Sequence, residues 1–142
     1  MSNIQEVIDF LNKAGVFYIG TVDNEDRPHV RPFGFVMEWE GKLTFITNNQ
    51  KEVYKQLSTN PYADICVFGA DNIWIRISGR VKLFQSVEAN KKAFEIMPSL
   101  KDLYGDENNP VLAHFSYEEG AAAFWSFESI KKPFKIISLN IV

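Results

Sequence analysis

Apolar positions recur along the chain with two different spacings. Ile4, Val7, Ile8 and Leu11 return every three or four residues, the stripe of an amphipathic helix. Ser2 with Gln5 three residues on makes a capping box ahead of that stripe, and Gly15 supplies its stop. The pattern then changes. Residues 16–22 are aromatic and β-branched and predict a strand. Residues 23–26 read as a turn, 28–38 as a second strand that completes a hairpin, and Glu40-Gly41 as the turn into a third strand over 42–47. A helix over 51–59 follows, capped by Asn48 or Asn49 and stopped by Asn60-Pro61. The fourth strand, 62–69, contains the run Ile65-Cys66-Val67-Phe68, which predicts a packed thiol. Asp71-Asn72 turns the chain into 73–84, where Ile73, Ile75 and Ile77 alternate with Trp74, Arg76 and Ser78 at a period of two. Ser86 caps a third helix that directs Val87, Phe94 and Met97 inward until Pro98 breaks it, and 99–105 form a short helical coda. Residues 111–115, 121–127 and 134–141 read as the last strands.

Most consecutive strands are joined by short turns, so the sheet is expected to be antiparallel. The fold class is mainly β with flanking helices. So many aromatic strands in one small unit point to a barrel or sandwich rather than a doubly wound sheet. Closure also removes edges that would otherwise invite wrong pairing. No repeat or linker divides the 142 residues, which are read as one domain, 1–142.

Composition narrows the function. Fifteen Lys and Arg face 18 Asp and Glu, and this balance lacks the basic face of a dedicated nucleic-acid binder. The single cysteine excludes an intrachain disulfide. Nothing near the start reads as a signal peptide, and no apolar run reaches the roughly 18 residues of a membrane span, so a cytoplasmic protein is expected. The glycines form no Gly-x-Gly, Walker or nucleophile-elbow sequence. His29 and His114 lie on different strands without a ligand pair, and no carboxylate pair stands out. If chemistry occurs here, a bound cofactor is expected to carry it.

Three segments can bind such a group. Thr47-Asn48-Asn49-Gln50-Lys51 ends a strand and opens a helix, whose first amides lack internal partners. Lys51 opposes the helix dipole there unless an anion is bound; otherwise it is a solvated lysine behind an asparagine cap. Pro28 to Phe35 carries Pro32 in mid-strand, which removes a ladder donor beside Arg31 and Phe33. That strand could present charge and an aromatic wall to a planar ligand, or be an edge with a surface arginine. In Trp74-Ile75-Arg76-Ile77-Ser78-Gly79-Arg80 the arginines can stack on Trp74 or form cross-strand ion pairs.

In this order these segments resemble the pyridoxamine 5′-phosphate oxidase-like family of FMN-binding split β-barrels, above all its small bacterial branch with the nitroimidazole reductases. The resemblance runs from the N-terminal helix through Arg27–Phe33, Phe45-Ile46-Thr47-Asn48 with Lys51, Asn60-Pro61 and Trp74–Arg80. It implies that Thr47, Asn48 and Lys51 hold the FMN phosphate and ribityl chain, and that Arg31, Pro32 and Phe33 border the isoalloxazine. It also implies a homodimer with flavin between the subunits, so that Trp74 and Trp125 serve the partner's site. A small-molecule substrate and a reduced nicotinamide donor follow from the same likeness. The sequence departs from the true oxidases, whose Thr-to-Lys loop is longer and ends Ser-Arg-Lys where Gln50-Lys51 stands here. Their arginine-rich C-terminal substrate segment has no counterpart in Lys131-Lys132-Pro133-Phe134. A barrel that binds flavin, haem or deazaflavin without turnover is the alternative. His29 is the one titratable side chain expected close to the ring.

Overall fold

The computed structural model describes residues 3–141; the expected Ser2 cap lies outside them. Helix α1 (Asn3–Ala14) buries Val7, Ile8 and Leu11, the face its spacing dictates. Gly15 ends it at φ +86°, its amide donating to the Leu11 carbonyl at 3.0 Å. Strands β1 (Phe17–Val22) and β2 (Pro28–Phe33) form a hairpin. Asp23 Oδ1 fixes the turn by accepting from the amides of Glu25 and Arg27.

The strand expected over 28–38 is two strands. The chain leaves β2 at Gly34 and resumes pairing only in β3 (Met37–Trp39), which forms a hairpin with β4 (Lys42–Asn48). Phe35 and Val36 are buried between them, so an apolar run imitates a strand while crossing a corner. After α2 (Glu52–Thr59), β5 (Tyr62–Phe68) and β6 (Ile73–Phe84) pair along their length. Helix α3 (Val87–Ile96) begins at Ser86, whose Oγ accepts from the Ala89 amide as expected. Its buried side chains are Ala89, Asn90, Ala93 and Phe94, while Val87 is exposed, contrary to expectation. The short α4 (Ser99–Tyr104) follows.

The two strands expected over 111–115 and 121–127 are one, β7 (Leu112–Ser126). Glu118 and Glu119 lie within it and bond across to Lys42 and Arg80 instead of forming a turn. Where β7 passes Gly120 (φ +136°), Gly79 faces it on β6, and a Cβ at position 79 would sit 2.0 Å from the Glu119 carbonyl oxygen. Two glycines let the backbones touch, and a bulge at Arg80/Val81 bends the ladder there. The last strand, β8 (Lys135–Ser138), is shorter than the 134–141 read from sequence.

All pairings are antiparallel, in the order β2-β1-β5-β6-β7-β4-β3, with β8 added on β7. The sheet curls on itself. Phe17 of β1 meets Phe45 of β4 edge-on at 5.8 Å, and Phe33 of β2 meets Phe115 of β7 at the same distance, although neither strand pair is adjacent in the sheet. Phe45, Phe115 and Tyr117 fill the centre, and the Tyr117 hydroxyl donates to the Ala63 carbonyl at 2.7 Å. Each such side chain contributes roughly 1.5–3 kcal/mol by burial. A second core, including Phe35, Ile46, Phe94 and Leu112, packs the opposite sheet face on α3 and α4.

Period two also decides Cys66. Ala63, Ile65 and Val67 point into the barrel, so Cys66 faces outward and is exposed, not packed as expected. Partial burial still pushes its thiol pKa up, against the smaller opposing effect of Arg76.

Candidate active site

The barrel has a seam. β3 pairs with β4 from Lys42 to Thr44, which leaves residues 45–48 without a strand on that side, and β2 pairs only with β1 among the described residues. The chain between these free edges opens a groove of about 240 Å³. Pro32, Phe33 and Phe35 form one wall, Ile46 and Lys51 come from β4 and the start of α2, and Met97, Leu100, Leu103 and Tyr104 close it from α3 and α4. Three of the residues expected from sequence, Pro32, Phe33 and Lys51, thus share one cavity. The wall from α4 went unnoticed in the sequence; its signal is Leu103, a large apolar side chain left 70% exposed.

Thr47 and Asn48 end β4 beside this groove in the chain. Thr47 is buried, on the same strand face as Leu43 and Phe45, and its Oγ1 has no hydrogen-bond partner. A buried hydroxyl left unpaired costs about 1–3 kcal/mol, so such a group signals a missing acceptor or donor. Asn48 Oδ1 accepts from the Gln50 amide at 3.0 Å, which folds the tract into a turn. Neither Asn48 nor Asn49 caps α2, as had been expected: its N-cap is Lys51, without a side-chain cap bond. The Lys51 side chain is exposed and, among the described residues, pairs with no carboxylate; Glu52 pairs with Lys55 instead.

Arg31 does not face the groove as Pro32 does. On β2 it shares the inner face with His29 and Phe33, opposite Ile19. Its Nη1 donates to Thr21 Oγ1 at 2.7 Å and to the Ile19 carbonyl at 3.2 Å, and its Nη2 donates to Gln56 Oε1 at 2.9 Å. Burial lowers its pKa from the usual arginine value. Thr21 and Gln56, both buried, were not singled out from sequence, because a polar residue on a helix gives no hint of which strand it meets.

His29 lies outside the groove. Its Nε2 is 2.8 Å from Asp23 Oδ2, in a separate pocket of about 320 Å³ that also includes Lys55 and Gln56. The His29 hydrogen bond, and then the amides of Arg27 and Glu25, hold the Asp23 carboxyl at about 2. His114 is fully buried under α3, with Nε2 2.6 Å from Asn90 Oδ1 and its ring stacked on Phe84. Its Nδ1 has no partner, and burial lowers its pKa to about 4.

Trp74 and Trp125 are not in the groove. They face each other across β6 and β7 on the outer surface, stacked at 6.3 Å and 7°, with Phe68 and Phe127 beside them. The Trp125 indole N–H is buried without an acceptor.

The family model described as pyridoxamine 5′-phosphate oxidase matches residues 4–138. A NimC/NimA family protein from Clostridium acetobutylicum is 34% identical with a TM-score of 0.85, over 95% of this chain and 92% of that one. General Stress Protein 26 from Bacillus anthracis shares the fold at 16% identity and a TM-score of 0.73, over 98% of this chain and 100% of that one. A pyridoxamine 5′-phosphate oxidase-related, FMN-binding protein from Nostoc punctiforme does so at 14% and 0.65, over 99% of each chain. No curated protein matches the chain. The match to nearly the whole length, together with the antiparallel split barrel, establishes that the chain belongs to the pyridoxamine 5′-phosphate oxidase-like family.

Proposed function

We propose that the protein binds FMN at the barrel seam as a homodimer and passes electrons between the flavin and a small molecule. The observation that carries this reading is the groove itself, where Pro32 and Phe33 line one cavity with Lys51, which pairs with no carboxylate among the described residues. The residues fit the group. Lys51 with the amides opening α2 offers positive charge to the phosphate, while Thr47, whose unpartnered Oγ1 shares the core-facing side of β4 with Phe45, is not in the groove lining. The FMN-binding relative from Nostoc supports the choice of ligand. FMN supplies hydride and single-electron chemistry that these side chains lack. The chain's own part is to seat the ring against Pro32 and Phe33, exclude water with Leu100, Leu103 and Tyr104, and fix the phosphate.

A second copy is needed to complete the site. At about 240 Å³ the groove is smaller than the roughly 300–1,000 Å³ of ligand sites. The outer face supplies the contact. Pro32, Tyr18, Cys66, Arg76, Ala123 and Ile136 lie opposite one another in one row across five strand pairings, so the face runs unbroken into the groove wall at Pro32. Tyr18, Phe68, Phe127 and Ile136 on or beside it are each at least half exposed. Apolar patches of this kind mark interfaces.

The test is the visible spectrum of freshly purified protein, with mass analysis of the ligand released from it. Yellow protein releasing FMN, bleached by a reduced nicotinamide, is the expected result. Yellow protein that no donor bleaches makes the chain a flavin carrier, and a red-brown haem spectrum overturns the reading.

A further inference from the structure

A second cavity lies on the sheet face that carries α3, and it shares no lining residue with the seam groove. It measures about 220 Å³, room for a molecule of amino-acid size and less than the roughly 300–1,000 Å³ of larger ligand sites. Two aromatic rings line it, and each is held by a partner of its own. Phe84 of β6 stacks on the buried His114 ring at 5.2 Å. Trp39 of β3 has Lys92 Nζ over its ring, 5.8 Å from the centroid, and that ammonium also donates to the Glu38 carbonyl. The walls are thus set before any ligand arrives. Ser116, buried, lines the cavity as well. The one proton of the Thr44 hydroxyl goes to the Lys42 carbonyl at 3.1 Å, so Ser116 is the donor in the 2.7 Å bond between the two hydroxyls. Its oxygen keeps acceptor lone pairs for a ligand. Four charges complete the lining: Lys42, Lys82, Glu40 and Glu118. Lys42 and Glu118 bond to each other at 3.2 Å. Lys82 and Glu40 are exposed, and among the described residues neither pairs with an opposite charge. One free charge of each sign is therefore left beside two flat apolar walls.

We propose that this cavity is a second ligand site, for a zwitterion with a flat apolar side chain, the chemistry of an aromatic amino acid. The carboxylate meets Lys82, the ammonium meets Glu40 with the Ser116 oxygen as a further acceptor, and the ring packs against Trp39 and Phe84. An anion without the ammonium would be repelled by Glu40, and a cation without the carboxylate by Lys82. Only a ligand with both charges gives each free group a partner. The site uses none of the groove residues, so it stands or falls apart from the flavin reading.

The experiment titrates the full chain, as purified, with L-phenylalanine, phenylpropionate, phenethylamine and L-alanine at neutral pH and fixed ionic strength. It follows the indole N–H resonances of the three tryptophans, that of Trp39 being assigned by its loss in Trp39→Phe. L-phenylalanine should shift the Trp39 signal and leave those of Trp74 and Trp125 in place. Phenylpropionate and phenethylamine, each lacking one charge, should bind about 2- to 5-fold more weakly, the size of one exposed ion pair. L-alanine, which lacks the ring, should bind at least about 10-fold more weakly. Lys82→Gln should weaken L-phenylalanine and phenylpropionate about 2- to 5-fold without weakening phenethylamine. Glu40→Gln should weaken L-phenylalanine and phenethylamine without weakening phenylpropionate. Both positions are exposed, so an unchanged Tm is expected for each variant. An unmoved Trp39 resonance at the solubility limit of L-phenylalanine overturns the site. Phenylpropionate or phenethylamine binding as tightly as L-phenylalanine, or two variants without the crossed pattern, overturns the zwitterion as its ligand.

Discussion

Two side chains carry predictions of their own. His114 is fully buried, and burial holds its pKa at about 4, below the ordinary 6.5. Between those values the unfolded chain binds the proton and the folded chain resists it, so stability is complete above pH 6.5 and is lost as pH falls toward 4. Urea unfolding should show about 2.5 kcal/mol less stability from this group at pH 4.5 than at pH 7.5. A His114→Gln variant, which keeps a polar partner for Asn90, should lose that part of the slope; an identical slope would place the titration elsewhere. Lys51 sits in the groove wall, exposed and without an ion pair among the described residues. Under the proposed function, Lys51→Ala should weaken FMN binding about 10- to 100-fold, as expected for losing a hydrogen bond to a charged group, while riboflavin affinity and folding barely change. Equal losses for both flavins would mean that Lys51 shapes the pocket rather than meeting phosphate.

Elements were legible where a single periodicity ruled. α1 announces itself by its stripe, and β6 by the alternation of Ile73, Ile75 and Ile77 with Trp74 and Arg76; both stand where the pattern puts them. The pattern misleads where tertiary contact overrides it. Phe35 and Val36 look like strand but are buried coil at the corner of the seam, and Glu118-Glu119-Gly120, which falls between two expected strands, continues β7 with Lys42 and Arg80 across from the two carboxylates. The same limit governs the candidate site. Pro32, Phe33 and Lys51 could be proposed from local chemistry, whereas Gln56 and the α4 wall depend on which elements meet, a fact that no window of sequence holds. The Gly79–Gly120 crossing gives the element-scale prediction. Gly79→Ala forces a Cβ to 2.0 Å from the Glu119 carbonyl oxygen, and neither backbone can yield without breaking the β6–β7 ladder. It should cost at least about 3 kcal/mol, at the severe end of overpacking. Gly41→Ala meets open space at φ +77° and should cost only about 1–2 kcal/mol. Comparable midpoints for the two variants in urea would show that the crossing is not tight.

For the molecule as a whole, the outer face makes the sharpest claim. Ile136 is 63% exposed in the row that leads to Pro32, and a stable homodimer would cover it. Ile136→Glu sets a charge in that row and should convert the proposed dimer to monomer in sedimentation equilibrium, with flavin affinity falling because the groove loses its second wall. Wild type that sediments as a monomer at micromolar concentration would remove the dimer from the picture. The long strand β7 has a further consequence. Among the described residues it alone bonds to both parts of the sheet, β2-β1-β5-β6 on one side and β4-β3 on the other. A growing chain completes β4 at Asn48 and reaches the start of β7 only at Leu112. At about 5–20 residues per second the β3–β4 hairpin waits roughly 3–13 s for the strand that ties it to the rest. Through that interval Leu43 and Phe45 present an apolar face beside an unpaired edge. The period of greatest exposure to wrong pairing is therefore set by the clock of synthesis, through the place of β7 in the chain.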